Sequence, residues 1–103
     1  MQERTLGSSG LLVSAVGIGC NNFGGRIDTK QTGRVIDKAI DLGITLWGRG
    51  DIYSNRGGSE TAMGDVLSGG KRQKIVLASK FGMQMDEAGK LKGGSRRYIM
   101  SAV

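Results

Sequence analysis

The sequence predicts an α/β chain of parallel strands alternating with helices, on three observations. Short apolar runs at Val16–Cys20, Ile44–Trp47 and Ile75–Phe81 are separated by stretches whose apolar residues recur at helical spacing. Glycine, abundant at 19 residues while proline is absent, falls at the ends of these runs and not in one linker block. Connections of this length return the chain by right-handed crossovers, which puts the strands in one parallel sheet.

In chain order, Gly7-Ser8-Ser9-Gly10 is a turn between two short arms, Arg4-Thr5-Leu6 and Leu11-Leu12-Val13-Ser14, which suits a hairpin. Val16–Cys20 follows as a strand containing Gly17 and Gly19, a composition that a buried parallel strand tolerates. Asn21 to Gly25 is a loop. Asp28 or Thr29 can cap a helix running to about Leu42, with Val35, Ile36, Ala39 and Ile40 as its apolar stripe. Arg34, Asp37, Lys38 and Asp41 take the other face, and Gly43 is the C′ residue, where positive φ costs glycine little. Ile44–Trp47 is the second strand.

A polar loop leads to Gly57-Gly58-Ser59-Glu60, where Ser59 is expected to cap a second helix with Ala62, Met63, Val66 and Leu67 inward. Gly69-Gly70 stops it, and Lys71 to Lys74 form a basic bend. Ile75–Phe81 is the third strand, apolar until Ser79-Lys80. Gly82 to Gly94 is a polar loop, and Ser95 caps a helix starting at Arg96.

At 103 residues the expectation is one domain. Fifteen basic against nine acidic residues leave a net charge of +6, which favours anionic partners but is better read as a merely basic soluble surface. No Lys/Arg run is interleaved with aromatics, so no platform for stacking bases is visible and no nucleic-acid partner is expected. The single cysteine, Cys20, excludes an intrachain disulfide and, with no histidine in the chain, no metal site is expected. The N-terminus lacks a secretion h-region and no run reaches the ~20 apolar residues of a membrane span, so a cytoplasmic protein is expected.

The chemistry-bearing residues fall after the strands. Asp51 and Tyr53 follow the second, and Lys80 ends the third. In α/β proteins the carboxyl ends of successive strands are where sites are built. The glycines Gly17, Gly19 and Gly24 do not make a dinucleotide fingerprint, because position 22, where a third glycine is required, is Asn22. Arg49-Gly50-Asp51 spells an adhesion tripeptide, a coincidence in a cytoplasmic chain.

Several motifs in register resemble the N-terminal part of an aldo-keto reductase, in its bacterial, potassium-channel-β-subunit-like branch. They are Leu6-Gly7 with Ser9-Gly10-Leu11 and Val13-Ser14, the run Gly17 to Gly25, Asp51-Ile52-Tyr53, Gly58-Ser59-Glu60, and Leu77 to Gly82. The resemblance implies a (β/α)8 barrel closed at its bottom by the hairpin. Such barrels take about 250 residues, so residues 1–103 correspond to the hairpin and roughly three βα units, an incomplete barrel domain.

It further implies reduction of an aldehyde or ketone carbonyl by NADPH. Tyr53 matches the tyrosine that protonates the carbonyl oxygen, and Lys80 the lysine that assists it. An ammonium within reach stabilises the phenolate left when the proton departs. Cys20 and Asn21, after the first strand, match residues that lie against the cofactor, although Cys20 reads equally as a small buried hydrophobe. The family's aspartate stands five residues before the tyrosine, where this chain has Gly48, and its histidine falls on a fourth strand beyond Val103. Two functions are therefore expected to compete: a carbonyl reductase whose present chain is inactive alone, or a catalytically silent interaction module. An unclosed sheet of this kind is expected to self-associate through its edges.

Overall fold

The computed structural model describes residues 1–103. A hairpin of β1 (Glu3–Thr5) and β2 (Leu12–Ser14) pairs Glu3 with Ser14, Arg4 with Val13 and Thr5 with Leu12. Gly7 and Gly10, both at positive φ, turn the chain between the arms. Three parallel strands then form one sheet in sequence order, β3 (Gly17–Gly19), β4 (Leu46–Gly48) and β5 (Val76–Ala78). Gly19, Gly48 and Ala78 stand in one row across it, so all three strands end at the same level. Each strand is shorter than its apolar run. Ile44, for example, donates its N–H to the Ala39 carbonyl, the end of the preceding helix, and pairing starts only at Leu46.

Helix α1 (Thr29–Asp41) joins β3 to β4. Asp28 caps it in a full capping box, its carboxylate accepting from the Gln31 N–H while the Gln31 side chain accepts from the Asp28 N–H. Gly43 ends it at φ +73. Its inward stripe is Thr32, Ile36 and Ala39; Val35, expected inward, is exposed. Ile36 lies three to four residues from each of the others, so it takes the centre of the stripe.

Helix α2 (Tyr53–Val66) joins β4 to β5 through a 3₁₀ turn at Lys71–Lys74. It is broken near its start. Ser54, Asn55 and Arg56 hold φ of +54, +61 and +59, a left-handed turn, and Gly57 follows at +113. Ser59 is not a cap as the sequence suggested. The right-handed helix begins only after Gly57, about where the sequence placed it, and Ser59 is buried in its first turn; the hydroxyl donates to the Cys20 carbonyl at 2.6 Å, tying the helix to the loop after β3. Helix α3 (Arg96–Ala102) closes the described chain, and here the expected cap is found: Ser95 Oγ accepts from the Tyr98 N–H.

The core lies between the sheet and the two long helices. Trp47 at its centre has no exposed surface, and around it pack Cys20, Phe23, Ile36, Ala39, Met63 and Ile75. The Trp47 indole N–H donates to the Ile44 carbonyl at 2.7 Å, so its one polar atom is satisfied. Ile18 and Leu77, level with Trp47 in the neighbouring strands, pack on the same cluster. The hairpin is fastened below the sheet by a reciprocal exchange: Ser14 N–H donates to Thr45 Oγ1 and Thr45 N–H to Ser14 Oγ, each at 2.8 Å. No helix is long and apolar enough to cross a membrane.

Candidate active site

Because β4 and β5 are parallel neighbours ending in register, the residues that follow them emerge side by side. Arg49 N–H donates to the Ala78 carbonyl at 2.9 Å and Asp51 N–H to the Lys80 carbonyl at 3.2 Å, which continues the pairing past the strands. Tyr53 and Lys80 meet as a result. Lys80 Nζ donates to Tyr53 Oη at 3.0 Å and lies 5.1 Å from the ring centroid. The family resemblance nominated both residues, and the fold brings them together.

Gly48 is part of the same corner. A Cβ built there would stand 3.7 Å from Lys80 Nζ and 3.9 Å from the Ile18 carbonyl oxygen. A short acidic side chain at position 48 would therefore reach the ammonium. With glycine, Lys80 has no carboxylate: the ion pairs of the chain join Arg49 to Glu60 and Lys71 to Asp37.

Beside Tyr53 opens a depression of about 650 Å³ lined by Asn21, Asn22, Arg26 and Ser54 among others. Asn21 is exposed at its rim. Cys20 is differently placed. Its side chain is fully buried in the core, and burial pushes its thiol up to about 11, an effect that the charges of Lys80 and Arg49 partly oppose. What Cys20 presents towards α2 is its backbone carbonyl.

The left-handed turn directly after Tyr53 forms the wall of this depression. Non-glycine residues pay about 1 kcal/mol or more each for that conformation. Ser54 Oγ offsets part of it by donating to the Phe23 carbonyl at 2.6 Å. Opposite, Gly24 sits at φ +68 where any Cβ would strike the Gly58 carbonyl, so the loop after β3 packs directly on the start of α2. Glycine is required there on both counts.

A second phenol lies behind the first. Tyr98, buried on the first turn of α3, donates from Oη to the Asp51 carboxylate and accepts the Gly82 N–H at 3.1 Å. Burial raises this phenol above its ordinary 10.0, and the hydrogen bond to Asp51 adds to the rise, while the Gly82 N–H works against it. Nothing in the spacing of Asp51 and Tyr98, 47 residues apart, signals this pair.

The model of the aldo/keto reductase family matches residues 15–103. The chain belongs to that family. Bacillus subtilis YqkF, an uncharacterized oxidoreductase, is 36% identical over 105 residues that take in all of this chain and 33% of its own. The fold agrees with that of the aldo-keto reductase AKR11C1 from Bacillus halodurans, solved in a holo form, at TM-score 0.82 and 34% identity over 98% of this chain and 33% of that one. An uncharacterized 11.2 kDa protein of Pseudescherichia vulneris is 33% identical over 82% of this chain and 90% of its own. The chain thus spans about a third of the length of the two reductase relatives. Its hairpin, three strands and helices are the N-terminal part of an aldo-keto reductase barrel, as the sequence implied.

Proposed function

We propose that this chain carries the proton-donating part of a site that reduces an aldehyde or ketone with NADPH. The observation that carries the reading is the 3.0 Å hydrogen bond from Lys80 Nζ to Tyr53 Oη at the carboxyl ends of adjacent parallel strands. Tyr53 Oη gives its proton to the carbonyl oxygen as the carbon is reduced. Lys80, already donating to that oxygen, stabilises the phenolate that remains.

When bound, NADPH would supply the hydride for the carbonyl carbon. The donors around the depression suit such a cofactor: the Asn21 and Asn22 amides can pair with a carboxamide ring, and the Arg26 guanidinium with an anionic oxygen. Cys20 offers the cofactor no free polar group: its thiol is inside the core, its N–H donates to the Gly48 carbonyl and its carbonyl accepts from Ser59 Oγ. The holo form of the Bacillus halodurans relative supports a cofactor in this family.

Gly48 favours a second reading for these 103 residues by themselves, a catalytically silent module. Lys80 lacks a carboxylate to hold it, and the sequence contains no histidine to act as a further hydrogen-bond donor to the carbonyl. We accordingly expect the purified chain to show no carbonyl-dependent oxidation of NADPH. The direct test is a chimera in which residues 1–103 replace the matching third of the Bacillus halodurans reductase. Aldehyde-dependent NADPH oxidation that needs both Tyr53 and Lys80 supports the reductase reading. A folded chimera with no such activity, even with Gly48→Asp, overturns it.

A further inference from the structure

We propose that Tyr98 is a positioning residue for the Tyr53–Lys80 pair, acting through Asp51 and Gly82; this rests on reading that pair as proton donor and assistant. Asp51 lies two residues before Tyr53, and Gly82 two residues after Lys80. The phenol oxygen of Tyr98 is hydrogen-bonded to both, giving its single proton to the Asp51 carboxylate and taking the Gly82 N–H. One oxygen on α3 thus anchors the two segments that present the reacting groups. The Asp51 N–H to Lys80 carbonyl bond closes the triangle.

The anchor is itself rigid. Tyr98 and Asp51 are buried, with 2% and 5% exposure, whereas Lys80 is exposed and Tyr53 half-exposed. The Tyr98 ring stands edge-on to Phe81 at 6.1 Å between centroids, so the residue following Lys80 is gripped as well. Its place on α3 is set by the Ser95 cap, whose Oγ accepts the Tyr98 N–H at 3.3 Å. A buried carboxylate with this phenol as its side-chain partner is costly to strand, so the triangle holds together or opens as a unit. The exposed pair has no such restraint of its own: Gly48 offers Lys80 nothing, and a long ammonium chain at the surface is otherwise free to swing.

The test reads the pair directly in the 103-residue chain by NMR. The cross-peak between the Lys80 ε-methylene and the Tyr53 ring protons is expected in the parent. Tyr98→Phe keeps the ring and its edge contact but removes the hydroxyl, and it should weaken that cross-peak at least fivefold while the Trp47 indole resonance stays in place. Asp51→Leu should do the same, and Asp51→Asn, which keeps an acceptor oxygen, should retain most of the intensity. If Tyr98→Phe disturbs the Trp47 resonance, the contrast between the leucine and asparagine variants decides. A lowered melting temperature with an unchanged Lys80–Tyr53 cross-peak would mean that Tyr98 only stabilises the fold, and it would overturn the proposal while leaving the functional reading intact. No cross-peak in the parent would overturn the pair itself, and both readings with it.

Discussion

The two tyrosines of the chain are opposites. Tyr98 is buried and hydrogen-bonded to a carboxylate, which holds the proton on its phenol. Tyr53 faces an open depression and accepts a hydrogen bond from an ammonium. One backbone segment, Asp51 to Tyr53, carries the Tyr53 phenol and, through the Asp51 carboxylate, holds that of Tyr98. The contrast shows that a phenol's work is set by the charge beside it and by the water it meets. A negative, dry partner makes a structural strut; the proposed function gives the phenol beside the ammonium, at the open face, the part of proton donor.

Exchanging the roles by mutation gives the largest expected effects. In the chimera with the Bacillus halodurans reductase, Tyr53→Phe should lower kcat by about 10²- to 10⁴-fold, the usual worth of a general acid. Tyr98→Phe should cost less, on the order of tenfold, because it misplaces the pair without removing it. Equal losses in steady-state assays would erase the distinction drawn here.

Stability should rank the two phenols the other way. Denaturant unfolding of the 103-residue chain is expected to show Tyr98→Phe destabilised by about 1–3 kcal/mol, since Asp51 is left buried without its donor. Tyr53→Phe, at the surface, should stay within about 0.5 kcal/mol of the parent. Larger destabilisation by Tyr53→Phe would assign it a structural role.

Alkaline pH sharpens the same contrast. A phenol or thiol raised by folding favours the protonated state in the native chain, so its contribution is complete below the unfolded value and lost as pH climbs through the folded one. For Cys20 that window runs from 9.0 to about 11, and for Tyr98 it opens above 10.0. Unfolding free energy should fall across this range. Cys20→Ala should flatten the fall between pH 9 and 11, and Tyr98→Phe should flatten its upper part. Unchanged slopes in both variants would show that neither group titrates with folding.

Much of this was legible in the residues, and the exceptions have physical causes. The alternation of apolar runs and helical stripes located the three parallel strands and the two long helices, because period and glycine placement act locally; the 3₁₀ turn at Lys71–Lys74 was legible only as a basic bend. The register of Tyr53 with Lys80 was legible through the motifs around them, since parallel strands that end level bring their following residues together. Ser59 misled because serine before a glutamate also fits a cap. The hydroxyl goes instead to a carbonyl 39 residues away, a choice made by packing and not by local sequence. The left-handed turn at Ser54–Arg56 carries no glycine until Gly57, so composition gave no warning of it. The Asp51–Tyr98 strut joins a loop to a helix that share no pattern, and such pairs emerge only when the fold closes.

The account turns on Tyr53 and Lys80 acting as a pair that Gly48 leaves short of a carboxylate. Aldehyde-dependent NADPH oxidation by the chimera, measured with Gly48 and with Gly48→Asp, tests it most directly. A carboxylate at position 48 lies within reach of the Lys80 ammonium, as the 3.7 Å approach of a Cβ there indicates. The aspartate variant should turn over faster by about tenfold or more, the scale of a single well-placed ionic partner, and Tyr53→Phe should abolish the gain. Equal rates with glycine and aspartate, or a gain that survives Tyr53→Phe, would contradict the assignment of this corner as the site of proton transfer.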